Sequence, residues 1–336
     1  MAWLDAARVI SIFAVVFLHI SASVVTEADF GSLTWWHGNI YDSLVRWCVP
    51  VFVMISGALL LDESRVENAA AFYRRRVKRI VLPLMFWTIA FIFWNAIKAR
   101  FSGAEFGLAE AVKSVARGKP HYHMWFLFMI VGLYLFTPLI RTLVRHSKRS
   151  ELWFFVAVMF FFSALDELYG AFSDDDGEVF LFWFLPYVPY FICGHLIATS
   201  KRDGGKLVSL MVFVASVFLT AVGCYFLAHR QGLDRGLYFY GYLSISVIPM
   251  SIALMWLLKS LSFSEPAAER LGVVSALTLG IYLVHPVFLE SVRFFYFKAK
   301  DYYPLLSVPV LSVLIFGGSL MFAFVLRKMP YLKRVI

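Results

Sequence analysis

Residues 3–25 read WLDAARVISIFAVVFLHISASVV, apolar throughout except for Asp5, Arg8, His19 and three serines. A run of about 20 apolar residues is what an α-helix needs to cross the hydrocarbon of a bilayer. Runs of this kind recur near 40–61, 80–97, 121–140, 151–169, 180–199, 207–228, 238–258, 273–292 and 305–326. The spacing predicts an all-α integral membrane protein with about ten transmembrane helices, formed as one domain over 1–336. Composition agrees: 61% of the 336 residues are hydrophobic and only 16% are charged, against roughly 45–50% and 25% in a soluble domain. Disorder and a collagen-like fibre are excluded, and three Cys are too few for a disulfide scaffold. The runs are too long for barrel strands, which need about 9–11 residues.

The net charge of +9 has a topological explanation, because Lys and Arg concentrate in cytoplasmic loops. With the N-terminus inside, the inner segments and tail hold twenty Lys and Arg, Arg65 and Arg8 among them, and the outer loops hold ten. The acidic run Asp174, Asp175, Asp176 and Glu178 then falls outside. Both termini are expected in the cytoplasm, with the bilayer as partner and no nucleic acid. A cleaved signal peptide over 1–25 is disfavoured by Asp5, by the lack of Lys and by the length of the apolar run. Cys48, Cys193 and Cys224 lie within apolar segments and read as packing residues.

Function is sought among the ionisable residues that a membrane makes expensive. Eleven residues separate Arg8 from His19, about three helical turns with roughly 20° of drift, so they share a face about 16.5 Å apart. Asp5 stands three residues before Arg8 and can pair with it. The run Phe72-Tyr73-Arg74-Arg75-Arg76-Val77-Lys78-Arg79 opens the third segment. Topology alone accounts for its sign. Arg76 and Arg79, one helical turn apart, also suit phosphate oxygens, which guanidinium binds bidentately. In His121-Tyr122-His123-Met124-Trp125, helical geometry would make His121 and His123 diverge by about 200°, a poor arrangement for one metal. Tyr122 and Trp125 fit an interfacial aromatic belt. His285, Glu290 and Arg293 occupy the ninth segment, where Pro286 should kink the helix and free backbone carbonyls. Asp42 and Arg46, four residues apart, most simply neutralise each other. There is no P-loop, nucleophile elbow, Cys-x-x-Cys or HExxH, and no metal site is expected.

Five stretches taken in order resemble the motifs of membrane-bound acyltransferase family three, bacterial O-acyltransferases with a ten-helix domain. They are Trp3-Leu4-Asp5 leading to Arg8 and His19; Val49-Pro50-Val51-Phe52-Val53-Met54-Ile55-Ser56-Gly57; Arg76 and Arg79 before Pro83; Tyr122-His123-Met124-Trp125-Phe126-Leu127; and Leu279-Gly280-Ile281-Tyr282-Leu283-Val284-His285. Met124 replaces the usual Leu of the fourth motif, and Glu290 has no assigned place in the pattern. The chain looks most like stand-alone members of the enterobacterial common antigen O-acetyltransferase type, without a C-terminal hydrolase-like domain.

The resemblance implies a bacterial inner-membrane enzyme that takes acetyl-CoA as donor and acetylates a hydroxyl of an envelope polysaccharide or lipid-linked glycan on the periplasmic side. It places Arg8, Arg75, Arg76 and Arg79 on the phosphates of coenzyme A, with Asp5 holding Arg8. His19 is the general base. Tyr122, His123, Trp125 and His285 are expected to border the acceptor, and Glu290, which the pattern does not place, is expected beside them with its role open. Direct transfer is preferred, an acyl-His19 intermediate stays open, and so does self-association of the chain. The same residues could serve a transporter or flippase of a lipid-linked sugar or small acid, but no inverted repeat supports that reading.

Overall fold

The computed structural model describes residues 1–62, 68–103, 106–172, 180–202, 204–294 and 298–336. Arg65 and the acidic run at 174–178 lie outside the described residues. Within them the chain is helical, with no β-strand. The helices are α1 (Ala2–Glu27), α2 (Leu33–Val45), α3 (Cys48–Leu60), α4 (Ala69–Arg76), α5 (Leu82–Ser102), α6 (Leu108–Ala116), α7 (Trp125–His146) and α8 (Arg149–Phe172). There follow α9 (Val188–Ala198), α10 (Lys206–Gln231), α11 (Leu233–Gly236), α12 (Val247–Lys259), α13 (Glu265–Ser275), α14 (Thr278–Phe294) and α15 (Pro304–Lys328). A π-helical turn over Val77–Val81 joins α4 to α5.

Helix length and apolarity support seven membrane spans, or eight if the bent pair α13–α14 is one span. The other two expected segments, 180–199 and 238–258, form only the shorter apolar helices Leu185–Ala198 and Val247–Lys259. Their remaining residues form short 3-10 turns at Phe180–Phe182 and Leu237–Tyr240 and irregular backbone around them. In an apolar surrounding, irregular backbone survives only where protein covers it and supplies hydrogen bonds. Ser244 and Ser246 are fully buried, Val247 N donates to Ser244 Oγ at 3.3 Å, and Thr220 Oγ1 donates to Ser246 Oγ at 2.9 Å.

Burial separates a central set of helices from a peripheral one. The apolar window of α1 is 61% buried and that of α2–α3 is 72%, against 22% for α8 and 28% for both α10 and α15. Large apolar side chains on the peripheral helices, such as Phe93, Phe154, Phe218 and Met321, are exposed, which suits a lipid-facing surface. Central α1 packs against α2, α3, α13, α14 and α15.

Short α9 is buried along nearly its whole length because it lies backbone to backbone on α3. A Cβ built at Gly57 would sit 1.7 Å from Phe191 O, and one at Gly194 would sit 1.9 Å from Met54 O. Small residues allow this approach where the hydrophobic effect does not drive helices together. Asp42, fully buried, forms its expected ion pair with Arg46, and the guanidinium also lies 4.1 Å over the Tyr240 ring.

The sharp bend falls elsewhere than expected. The pair α13–α14 turns by 57° at its break, near Ser275 and Thr278, whereas α14 continues through Pro286. Proline removes the N–H that would bond Tyr282 O, and the neighbouring imidazole takes that carbonyl instead, His285 Nδ1 lying 2.7 Å from Tyr282 O and 3.2 Å from Ile281 O.

Candidate active site

A basic cavity of about 800 Å³ opens where α1 starts and α15 ends. Among the described residues, seven that line it are cationic and none is acidic. Arg8 comes from α1, Arg76, Lys78 and Arg79 from the α4–α5 junction, and Arg327, Lys333 and Arg334 from the end of the chain. Ile336 lines it as well, so both ends of the sequence lie at one end of the bundle. Its volume falls in the range of cofactor-sized pockets, about 300–1,000 Å³.

Arg75 is not part of this wall. It is exposed, since a residue next to Arg76 is turned about 100° around the helix axis. In addition to Arg8, Arg76 and Arg79, the lining holds Lys78 and three cations near the C-terminus, which sequence reasoning counted only as topology. Nothing in their spacing marks them, because the fold alone brings them to the cavity.

Arg8 is held as expected, with one added partner. Its Nη1 lies 3.3 Å from Asp5 Oδ1 and 3.2 Å from Ser275 Oγ, while Ser275 Oγ donates to Asp5 Oδ1 at 2.7 Å. Ser275 stands at the α13–α14 bend, so the bend is what completes the triangle. Replacing Ser275 with alanine removes a neutral hydrogen bond, typically about 1 kcal/mol. Ser275→Ala is therefore expected to weaken anion binding in the basic cavity several-fold, read by titration of purified protein with coenzyme A.

Phe126 and Tyr282 form part of the cavity wall, and their rings meet edge to face with centroids 5.6 Å apart. Beyond this wall lies a cluster of imidazoles. His19 stacks on His285 with centroids 5.3 Å apart, and Tyr122 covers it edge-on at 5.0 Å. His123 lies 5.6 Å from His285 and 5.1 Å from the Tyr282 ring, and the Tyr282 hydroxyl donates to the His123 carbonyl. Arg293 Nη2 reaches His19 O at 3.4 Å. Thus α1 carries Arg8 at the basic cavity and His19 at the imidazole cluster on one rigid rod.

His121 and His123 do not occupy helical positions, because α7 begins only at Trp125. The preceding turn brings them together, with Nδ1 of one 3.0 Å from Nδ1 of the other. His121 Nε2 lies 3.0 Å from Glu290 Oε1. Glu290 Oε2 meets Lys98 Nζ at 2.8 Å and accepts from Trp94 Nε1 at 2.6 Å. Lys98 and Trp94 were not singled out in the sequence, where nothing ties α5 to α14. Trp125 instead joins an aromatic group with Trp183, Tyr187 and Tyr242, stacking on Tyr242 at 5.7 Å. Among the described residues no group of three or more His, Cys, Asp or Glu is arranged to hold a metal ion.

No curated protein and no solved structure matches the chain. A family model described as an acyltransferase domain matches residues 1–328, almost the whole length. With its basic cavity and its imidazole cluster joined by one helix, the chain is a member of acyltransferase family 3.

Proposed function

We propose that the protein is an inner-membrane O-acetyltransferase that moves an acetyl group from cytoplasmic acetyl-CoA to a hydroxyl of an envelope polysaccharide or lipid-linked glycan on the periplasmic side, most like the enterobacterial common antigen type. The observation that carries this reading is the basic cavity meeting the imidazole cluster along α1. Coenzyme A is an anionic nucleotide on a thin, neutral arm. Seven cations among the described lining residues suit the former, and the apolar lining of Phe52, Phe126 and Ile130 suits the latter. The cavity end is the cytoplasmic one, which puts both chain ends and the larger share of Lys and Arg inside.

The donor's phosphates sit among Arg8, Arg76 and Arg79, and the thioester advances between Phe126 and Tyr282 toward His19. The acceptor comes from the opposite end, past Tyr122. His19 takes the hydroxyl proton as the oxygen attacks the thioester carbonyl. The carbon–sulfur bond breaks, the acetyl group stays on the acceptor oxygen, and the thiolate leaves with the proton. His123, His285 and Glu290 lie on the acceptor side of the wall.

The test is transfer of labelled acetyl from acetyl-CoA to extracted envelope glycan by purified, reconstituted protein. Binding of coenzyme A without any transfer would sink the assignment. Arg76→Ala and Arg79→Ala are each expected to raise KM for acetyl-CoA about tenfold or more, since a hydrogen bond to a charged group is worth about 1.5–3 kcal/mol. The rate at saturating donor should change much less. An unaltered KM in both variants removes them from the phosphate site.

A further inference from the structure

The contacts on the far side of the wall fix where protons sit, and from that a second residue for the acceptor. Glu290 carries a negative charge, held by Lys98 at 2.8 Å and by the Trp94 N–H at 2.6 Å. An ionised carboxylate only accepts hydrogen bonds, and an imidazole lone pair 3.0 Å from its oxygen would be repelled. His121 therefore carries its proton on Nε2, toward Glu290. Because Lys98 already balances the carboxylate, His121 needs no second proton, and its Nδ1 is an acceptor. The Nδ1 of His123, 3.0 Å away, must then be the donor, since two lone pairs cannot face each other at that distance. With its proton on Nδ1, His123 keeps a lone pair on Nε2. Among the described residues that atom is buried without a hydrogen-bond partner, in a residue 2% exposed.

His285 reaches the same state by another route. Its Nδ1 is committed to the carbonyl freed by Pro286, and its Nε2 is likewise buried without a partner. Two imidazoles in ring contact with each other, one of them stacked on His19, thus present only acceptors at these atoms. Buried acceptors without donors are costly, and a ligand with several hydroxyl groups would supply those donors.

We infer that Glu290 and His121 act as positioning residues that lock His123 in its Nδ1–H form, so that His123 Nε2 accepts a hydrogen bond from a hydroxyl of the acceptor sugar beside the one that His19 deprotonates. The role of His123 rests on the acetyl-transfer reading above; the tautomer does not. Imidazole proton positions follow from the network around the ring, and this network runs from a carboxylate through one ring to the next, as a carboxylate orients a single histidine in hydrolase triads. The acceptor class follows as well. A polyhydroxylated ligand satisfies both lone pairs, whereas a simple alcohol leaves at least one empty.

The test uses the full chain in nanodiscs with ring-15N histidine. His123 is assigned by the signals lost in His123→Asn, and nitrogen shifts report which ring atom bears the proton. The expected wild-type result is a protonated Nδ1 and a bare Nε2. His121→Phe keeps the stacking of that ring on Phe91, where the centroids are 4.3 Å apart, but removes the acceptor, and His123 should lose the preference. A proton on His123 Nε2 in the wild type, or an unchanged His123 in His121→Phe, overturns the lock. Acetyl transfer is measured in parallel with methyl glycosides of glucose, galactose, mannose and N-acetylglucosamine. His121→Phe should raise the glycoside KM on the order of tenfold, leaving KM for acetyl-CoA unchanged. A glycoside KM within twofold of wild type overturns the acceptor role of His123. Wild-type protein that transfers acetyl neither to the glycosides nor to extracted envelope glycan overturns that role together with the transfer reading, and leaves the tautomer result standing.

Discussion

His19→Ala should lower kcat for acetyl transfer by about 10²–10⁴-fold, the span typical of losing a positioned general base, while KM for acetyl-CoA stays within a few-fold of wild type. The division follows from geometry. His19 is not among the residues that line the basic cavity, so donor binding loses nothing when the imbalance falls on the chemical step alone. The side chain is half-buried against Tyr122 and His285, and alanine there leaves a gap rather than a clash, so the variant should fold. Burst and steady-state measurements with labelled acetyl-CoA check both quantities. Full turnover in well-folded His19→Ala protein would mean that the base has to be reassigned, with His123 and His285, whose Nε2 atoms are both buried without a partner among the described residues, as the candidates.

Gly194→Val is expected to have the largest effect on folding. The helices α3 and α9 touch through backbone atoms, and a Cβ at Gly194 would meet Met54 O at 1.9 Å. No rotamer relieves a clash with a carbonyl, so the helices have to separate. Overpacking typically costs about 1–3 kcal/mol and sometimes more, and a β-branched side chain against backbone belongs at the upper end. The expected readout is loss of the monodisperse peak in detergent, or a fall of several degrees in Tm where the protein survives. Gly170→Val is the control, because a Cβ there meets nothing within 4 Å. Equal behaviour of the two variants would show that the α3–α9 contact is not what holds the central helices.

How much of this was legible in the sequence depended on whether one rigid element carried the information. Arg8 and His19 share a continuous helix, so counting residues placed them correctly, and the same held for Asp5 with Arg8. Apolar runs located the helices, but apolarity is the same for a buried irregular segment as for a span. That is why 180–199 and 238–258 shrink to short helices. Helical angles applied to His121 and His123 gave divergence where a turn gives contact. Proline at 286 was read as a bend, whereas the bend sits at Ser275 and the proline's effect is to release a carbonyl to His285. The partners Ser275, Lys98, Trp94, Lys333 and Arg334 come from distant segments. Only tertiary packing brings them in.

The paired rings of Phe126 and Tyr282 have a meaning for the cell as well as for the reaction. An energised membrane does about 2.3 kcal/mol of work on each elementary charge for every 100 mV it maintains, and a water-filled passage would let protons spend that gradient. The aromatic pair, with the Tyr282 hydroxyl bonded to the His123 carbonyl, puts apolar rings rather than water between the basic cavity and the imidazole cluster. A slender uncharged acyl arm can part the rings for one turnover. A hydrated ion has nothing there to replace its water. On the proposed acetyl-transfer reading, the group would cross without opening a leak.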